Sequence, residues 1–287
     1  MFGSFLLGSF QTVYEGKVSS MANPQPYRGK TALVTGAAKG LGRALCLQLM
    51  AQGARVYALD VDEAALAALQ EEAAGKPLYP MKVDISQRQP LEEAFGQMIA
   101  ESGRLDYVFN NAGIVTGGQT QHMTWEAWER ILAINLKGVI WGTQLAYNHM
   151  LEKGQGHIIN TASLAGLVPV PESAAYTATK HGVVGLSLAL AQEAQAHGIR
   201  VSVLIPGALK TAIYDSATNL AGYDYARKMT ASPVRPMAPE LAARQVLHQV
   251  AKGKRQIVFP RGLWLLVGLY RVFPGLTQRL MARVMRT

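Results

Sequence analysis

The sequence predicts an α/β fold in which short buried strands alternate with helices. Seven short apolar segments have the length and composition of strands. A glycine-rich turn joins the first of them to a helical segment, and polar side chains follow several of the others. The seven segments are 30–35, 55–59, 78–83, 105–109, 156–161, 200–205 and 256–259.

Length and composition favour one large domain. The chain has 287 residues, of which 49% are hydrophobic, and it contains neither a proline- or glycine-rich linker nor a repeat. We predict a folded domain over 28–260, an N-terminal extension over 1–27 and a C-terminal extension over 261–287. The apolar run within 1–20 is too short to span a membrane and lacks the pattern of a secretory signal. Met21 precedes an ordinary domain start, so we expect that Met21 is the functional start or that 1–20 is an appendage; the alternative is that 1–20 packs as a short helix.

Cysteine and histidine usage predicts no metal site. The single cysteine, Cys46, excludes an intrachain disulfide and a cysteine-based metal cluster, and its apolar helical surroundings favour a buried structural thiol. The six histidines show no metal-ligand spacing. This usage fits a reducing compartment, and we expect a cytoplasmic protein.

The basic charge is concentrated at the carboxyl end. The net charge is +9, and the nine basic residues from Leu241 to Thr287, with no acidic residue among them, account for all of it. A neutral body with a basic tail indicates a local anionic contact and argues against a general nucleic-acid surface.

The segment 163–180 carries the residues for acid–base chemistry. On a helix, Tyr176 and Lys180 lie one turn apart on the same face. A nearby ammonium favours the phenolate and so lowers the pKa of a tyrosine from about 10. Ser163 could then hold a substrate oxygen, which completes a unit for alcohol and ketone chemistry. The alternative is a helix face without chemistry, because this spacing of tyrosine and lysine is common.

The turn after the first strand has the pattern of a dinucleotide-binding loop. The sequence G-A-A-K-G-L-G places Gly36, Gly40 and Gly42 between a strand and a helix. Glycines permit the tight turn and let backbone N–H groups approach a pyrophosphate.

Asp60 ends the second strand and predicts a preference between the two cofactors. A carboxylate about twenty residues beyond the glycines can bond the ribose hydroxyls and would repel a 2′-phosphate, which favours NAD. Lys39 in the glycine loop favours NADP, which stays the alternative. Asp60 could also cap the helix that begins near Glu63.

Two further groups of amides follow along the chain. The sequence N-N-A-G at 110–113 ends the fourth strand, where it suits a turn beside a ligand or a plain turn. Asn135 lies in an apolar helix predicted over 125–150. A buried asparagine needs partners, so it could order a water molecule or bond a backbone carbonyl.

Together these motifs resemble the short-chain dehydrogenase/reductase family. The resemblance covers 29–260 and is carried by T-G-A-A-K-G-L-G at 35–42, N-N-A-G at 110–113, Asn135, Ser163, Tyr176 with Lys180, and P-G-A-L-K-T at 206–211. It implies a doubly wound Rossmann sheet of about seven parallel strands with helices on both faces, in a single catalytic domain. Ligands of such sheets bind beyond the carboxyl ends of the strands.

The resemblance also assigns roles to residues. Tyr176 would be the general acid in reduction and the general base in oxidation, Lys180 would lower its pKa and hold the nicotinamide ribose, and Ser163 would orient the carbonyl. Asn135 would maintain a proton path through water. Asp84 would contact the adenine and Thr211 the carboxamide. The implied cofactor contacts are Gly36, Lys39, Gly40, Leu41, Gly42, Asp60, Asp84, Ile85, Asn111, Ala112, Gly113, Tyr176, Lys180, Pro206, Gly207 and Thr211. The implied substrate contacts are Ser163, Leu164, Tyr176 and Tyr214.

The resemblance makes 212–237 a lid over the substrate. This segment carries Tyr214, Tyr223 and Tyr225. Apolar side chains at 164, 167, 168 and 170 would add to the wall of the site. Together with the lid they predict a pocket for a hydrophobic secondary alcohol or ketone that is steroid-, aryl- or lipid-like. A simple surface loop is the alternative.

The C-terminal extension is apolar and then basic. The run 262–275 is too short to span a bilayer, and 276–286 has the pattern of a basic amphipathic helix. This helix could lie on an anionic membrane, border the pocket, or pack on a partner subunit with its arginines solvated. The resemblance implies pairing through the helices that carry Asn135 and Tyr176, and therefore a homodimer or homotetramer.

These observations lead to one main functional hypothesis and two alternatives. The main hypothesis is hydride transfer between NAD(H) and a hydrophobic secondary alcohol or ketone, with Tyr176 as general acid and base. One alternative is an NADPH-dependent carbonyl or 3-oxoacyl reductase. The other is a catalytically silent dinucleotide sensor or scaffold, which would not need Ser163, Tyr176 and Lys180.

Overall fold

The structure is a computed structural model that describes residues 25–214, 217–231 and 235–285. The predicted extension over 1–20 therefore lies outside the described residues. The strands are β1 Thr31–Thr35, β2 Arg55–Asp60, β3 Leu78–Lys82, β4 Tyr107–Asn110, β5 Thr116–Gly117, β6 Gly156–Thr161, β7 Ile199–Pro206, β8 Thr218–Asn219 and β9 Gln256–Phe259. Seven parallel strands form one sheet in the order β3-β2-β1-β4-β6-β7-β9, and the short strands β5 and β8 pair separately.

Helices cover both faces of the large sheet. They are α1 Gly40–Ala51, α2 Glu63–Ala73, α3 Arg88–Ser102, α4 Trp125–Leu132, α5 Gly138–Lys153, α6 Ala174–Glu193, α7 Tyr225–Ala231, α8 Pro239–Ala251, α9 Leu263–Val272 and α10 Pro274–Met285. Strands buried on both faces read as continuous apolar runs, and every residue of β1 is buried. One core contains Leu45 and Leu49 of α1, and a second contains Leu91 and Met98 of α3.

The strand order reverses direction between β1 and β4, which lie side by side at the centre of the sheet. In a doubly wound sheet this reversal opens a crevice beyond the carboxyl ends of the strands. The loops that follow β1, β4, β6 and β7 meet at that edge. The predicted doubly wound sheet of about seven strands is confirmed.

The single helix predicted over 125–150 is wrong. Helix α4 ends at Leu132, a π-helical turn spans Ala133–Lys137, and α5 begins at Gly138. A π turn is wider than an α turn and is frequent at functional sites. Here it contains Asn135, which the sequence had placed on a regular helix.

Candidate active site

The glycine loop has a backbone that only glycine fits at several positions. Gly36 and Gly40 have φ angles of +63° and +53°, in the left-handed region. A Cβ on Gly42 would lie 1.9 Å from the carbonyl oxygen of Gly36. Lys39 precedes α1 and makes no side-chain capping bond, and the first turn of α1 carries no acidic residue. The positive end of α1 therefore suits the pyrophosphate of a dinucleotide.

The N-N-A-G turn holds the glycine loop in place. The hydroxyl of Thr35 accepts hydrogen bonds from the backbone N–H groups of Asn111 and Ala112, at 3.0 and 3.1 Å. The amide of Asn111 donates to the carbonyl oxygens of Thr35 and Gly36, at 3.1 and 3.3 Å. Sequence reasoning gave Thr35 no role of its own, and its place at the end of β1 was the only signal.

Asp60 connects the end of β2 to the glycine loop. Its carboxylate accepts from the backbone N–H of Ala38 at 3.0 Å and from that of Asp62 at 3.1 Å. The alternative that Asp60 caps the next helix is wrong, because the cap of α2 is Asp62, which accepts from Ala65.

Lys39 pairs with the helix cap. Its ammonium lies 2.6 Å from the carboxylate of Asp62, and the lysine side chain is 64% exposed. This hydrogen bond raises the pKa of Lys39 and lowers the pKa of Asp62. The cation that would meet a 2′-phosphate is thus already engaged by a carboxylate.

Ser163, Tyr176 and Lys180 meet at the carboxyl end of β6. Lys180 is 3% exposed, and its ammonium donates to the carbonyl oxygen of Thr161 at 2.9 Å. The same nitrogen lies 5.6 Å from the centroid of the Tyr176 ring. Ser163 accepts from the backbone N–H of Ala165 at 3.2 Å, and its hydroxyl lies close enough to the phenol of Tyr176 to lower the pKa of that phenol in part. The structure therefore brings the three predicted catalytic side chains together.

Burial governs the protonation of this group. Burial raises the pKa of Tyr176 above its ordinary value, although the hydrogen bond with Ser163 lowers it in part. The expected net lowering of that pKa is not found in the protein alone, because removing the phenol from water disfavours the phenolate. Burial also lowers the pKa of Lys180 to about 8.

Asn135 is fully buried in the π turn and fastens the neighbouring loop. Its side chain accepts from the N–H of Ile114 at 2.8 Å and donates to the carbonyl of the same residue at 2.9 Å. The sequence predicted that Asn135 orders a water molecule or bonds a backbone carbonyl, and the structure shows the bond to a backbone carbonyl. Gly113 lies between Asn135 and Lys180, because a Cβ there would be 3.3 Å from the asparagine oxygen and 3.4 Å from the ammonium.

A network of buried polar side chains lies next to the carboxyl ends of β4 and β6. Asn110 donates to Asn160 at 2.8 Å, Thr143 donates to the same oxygen at 3.1 Å, and Asn160 donates to Ser187 at 3.1 Å. These residues lie on β4, α5, β6 and α6, so the network joins the elements that carry the catalytic side chains. Sequence reasoning missed it.

The remaining predicted cofactor residues follow the carboxyl ends of β1, β3 and β7. Thr211 packs against Gly40, and Gly207 donates to the carbonyl of Phe259 at 2.9 Å just after Pro206 ends β7. Leu41 is buried in α1. After β3, Asp84 is exposed and accepts from Ser86, whereas Ile85 is buried against Gly138.

The segment 212–237, predicted to be a lid, is described in part. Its base is fixed by backbone bonds from Lys210 to Met237 at 2.9 Å and from Met237 to Ala208 at 3.0 Å. Tyr214 stacks on Tyr225 with ring centroids 5.8 Å apart. Leu164, which the sequence predicts to line the substrate pocket, is half-buried in a short 3₁₀ turn after Ser163. Residues 215–216 and 232–234 of the lid lie outside the described part.

An ion pair links the lid to the segment before Tyr176. The ammonium of Lys228 lies 2.7 Å from the carboxylate of Glu172 and 4.9 Å from the centroid of the Tyr223 ring. The backbone carbonyl of Glu172 also accepts from Gly118 at 2.8 Å. Sequence reasoning missed this contact because its partners are 56 residues apart.

Known proteins have sequences similar to that of this chain. The family model of short chain dehydrogenases matches residues 30–220. SadH of Mycobacterium tuberculosis is 33% identical over 267 residues, covering 89% of this chain and 95% of SadH. The 15-hydroxyprostaglandin dehydrogenase (NAD+) of Homo sapiens is 40% identical over 197 residues, covering 66% of this chain and 71% of that enzyme.

Solved structures of short-chain dehydrogenases share the fold of this chain. A short-chain dehydrogenase/reductase from Burkholderia phymatum in complex with NAD superimposes with a TM-score of 0.81 at 27% identity, covering 88% of this chain and 96% of that one. A metagenomic short-chain oxidoreductase in complex with NADP gives a TM-score of 0.68 at 31% identity, covering 81% and 97%. This protein therefore belongs to the short-chain dehydrogenase/reductase family of oxidoreductases. The family binds NAD or NADP.

Proposed function

We propose that this protein transfers a hydride between NAD(H) and a hydrophobic secondary alcohol or ketone that is steroid-, aryl- or lipid-like. The observation that carries the proposal is the cluster of Ser163, Tyr176 and Lys180 beside the glycine loop. The hydroxyl of Ser163 and the phenol of Tyr176 lie close enough together to approach one substrate oxygen.

The choice of NAD rests on Asp60 and Asp62. A 2′-phosphate would place two negative charges beside the carboxylate of Asp60, whereas ribose hydroxyls can donate to it. Lys39 is held by Asp62 at 2.6 Å and would have to leave that carboxylate to meet the phosphate. When bound, the nicotinamide supplies the hydride, and the protein supplies position and protons.

The protein's own residues handle the proton. Burial keeps the phenol of Tyr176 protonated near neutral pH, which is the form that donates to a ketone oxygen during reduction. In oxidation the phenolate must accept a proton, and the ammonium of Lys180 stabilises that anion. Ser163 holds the substrate oxygen by a hydrogen bond. The hydrogen bond from Lys180 to Thr161 keeps the ammonium close to the ring of Tyr176.

The substrate class is inferred from the lid and from the relatives. Tyr214 and Tyr225 stack on each other near Tyr176, and Leu164 directly follows Ser163, so aromatic and apolar side chains border the catalytic group. The 3beta-hydroxysteroid dehydrogenase 2 of Eggerthella lenta is 39% identical over 189 residues, and the human prostaglandin enzyme is 40% identical. Both names refer to hydroxyl groups on lipophilic molecules, which supports an apolar substrate here.

A turnover screen tests the proposal. Purified protein is assayed with steroid, aryl and aliphatic secondary alcohols and the matching ketones, with NAD(H) and NADP(H) in parallel. We expect the highest kcat/KM with a bulky apolar alcohol and with NAD. A clear preference for NADPH with an anionic acyl substrate would contradict it, and so would the absence of turnover from a protein that binds NADH.

A further inference from the structure

The C-terminal extension exposes an unusual amount of apolar surface. Among the residues whose side chains the structure describes, eleven large apolar side chains are exposed, and six of them lie between Trp264 and Leu276. We call these six the apolar face. They are Trp264 (41% exposed), Leu265 (81%), Leu269 (38%), Val272 (68%), Phe273 (56%) and Leu276 (55%). Large contiguous apolar patches on a protein surface mark interaction sites.

Helix α9 is apolar on its outer side as well as on its inner side. Val267 is 1% exposed, and Leu263 and Tyr270 are half-buried, so these three side chains face the body of the protein. Leu265 and Val272 are two turns apart and both point outward. A surface helix normally carries polar residues on its outer face, and a helix that is apolar all round is normally buried. The outer side of α9 therefore has the composition of a contact surface.

The charges around the apolar face favour an anionic partner. Arg271 and Arg279 are exposed beside it, and no acidic residue occurs between Leu241 and Thr287. Two copies of this chain that met through the same face would bring these arginines towards each other, because a two-fold contact joins a patch to itself. Anionic phospholipid headgroups would neutralise them, and long arginine side chains can reach headgroups while their stems contact acyl chains.

We propose that the apolar face docks the protein on an anionic phospholipid membrane, with α9 lying in the interface. No helix in the described part of the chain is long and apolar enough to cross a bilayer, so the contact is peripheral. Trp264 suits the boundary between headgroups and acyl chains. Helix α9 begins close to the candidate active site, because Leu263 on its inner side packs against Gly207. A membrane contact through α9 would therefore lie near the crevice that, under the proposed function, takes a lipophilic substrate.

Vesicle flotation of the full-length protein tests this proposal. Phosphatidylcholine vesicles with and without phosphatidylserine are compared at low and high salt. We expect wild-type protein to float with the anionic vesicles and to bind neutral ones at least about tenfold more weakly. The variant L265Q/V272Q should lose binding to both, and R271E/R279E should lose the preference for phosphatidylserine.

Matched controls separate the apolar face from general surface effects. Trp125 is 80% exposed on α4, so Trp125→Ser removes an exposed apolar side chain elsewhere. The variant K76E/K153E reverses two exposed cations outside the extension. Both controls should float like wild type.

Three results would overturn the proposal. The first is wild-type protein that stays unbound with anionic vesicles. The second is L265Q/V272Q that binds like wild type, which would place the contact elsewhere, for example in the phenylalanine-containing segment 1–20. The third is wild-type protein that does not float but forms an oligomer, seen by light scattering, whereas the variant L265Q/V272Q is a monomer. That outcome would make the face an interface between copies.

Discussion

Replacing Gly42 by alanine adds one methyl group at the tightest point of the glycine loop. The new Cβ would lie 1.9 Å from the carbonyl oxygen of Gly36 and 2.7 Å from the side-chain nitrogen of Asn111. Ordinary contact begins at 3.4 Å, so the loop or the start of α1 must move by about 1.5 Å. Gly36 has little freedom to move, because a Cβ there would already lie 2.7 Å from the backbone of Ala112.

The magnitude follows from this displacement. Overpacking against backbone lowers the free energy of unfolding by about 1–3 kcal/mol. A loss of about 2 kcal/mol corresponds to a fall in Tm of about 4–8 °C. Moving the Gly36 carbonyl also weakens its 3.3 Å hydrogen bond from Asn111 and displaces the backbone N–H groups that we propose bind the pyrophosphate. We expect NADH affinity to fall by about 100-fold, since several oriented donors are lost together.

Thermal unfolding and NADH fluorescence titration measure the two effects. The matched control is Gly96→Ala on α3, where an added Cβ would find nothing within 4 Å. That change should raise the free energy of unfolding by about 0.5–1 kcal/mol, because alanine is the better helix former, and should leave NADH binding unchanged. Gly42→Ala with the Tm and NADH affinity of wild type would refute the placement of the cofactor over this loop.

Three further predictions concern the carboxylates and the lysine of the site. Asp60→Ala should lower kcat/KM with NAD and raise it with NADP, so that their ratio falls by about tenfold or more; an unchanged ratio would remove Asp60 from cofactor selection. Because burial lowers the pKa of Lys180 to about 8, the folded chain releases this proton before the unfolded chain does, and the contribution of Lys180 to stability should become more favourable as the pH rises above that value. Urea unfolding without cofactor should show the stability of wild type relative to Lys180→Met rising by on the order of 1 kcal/mol between about pH 8 and 9.5; parallel curves would contradict this. Glu172→Gln removes the ionic contact to Lys228 and should raise substrate KM about two- to fivefold with the KM for NAD unchanged, since such partly exposed pairs contribute about 0.2–1 kcal/mol; an unchanged substrate KM would show that the pair does not hold the lid.

The features that the sequence predicted correctly depend on local spacing. The glycine loop follows from three glycines between a strand and a helix, and the approach of Tyr176 to Lys180 follows from one helical turn. The strand assignments are within two residues at every end because buried parallel strands are continuous apolar runs.

The features that it missed depend on partners distant in the chain or on environment. The network of Asn110, Thr143 and Asn160 joins residues up to 50 positions apart, and a single asparagine shows no such partner in the sequence. The π turn at Asn135 adds no distinctive residue type to an apolar helix. The pKa of Tyr176 was expected to fall because of Lys180, but burial, which spacing alone does not reveal, raises it.

Single-turnover hydride transfer by Tyr176→Phe shows whether the phenol of Tyr176 exchanges the proton of the reaction. The phenyl ring keeps the shape of the site but has no proton to exchange, so NADH affinity should stay within about twofold of wild type while the rate falls by about 100-fold or more. Tyr147→Phe on α5 is the matched control and should transfer hydride like wild type. If Tyr176→Phe transfers hydride at the wild-type rate, the phenol is not the acid–base group and the account is contradicted.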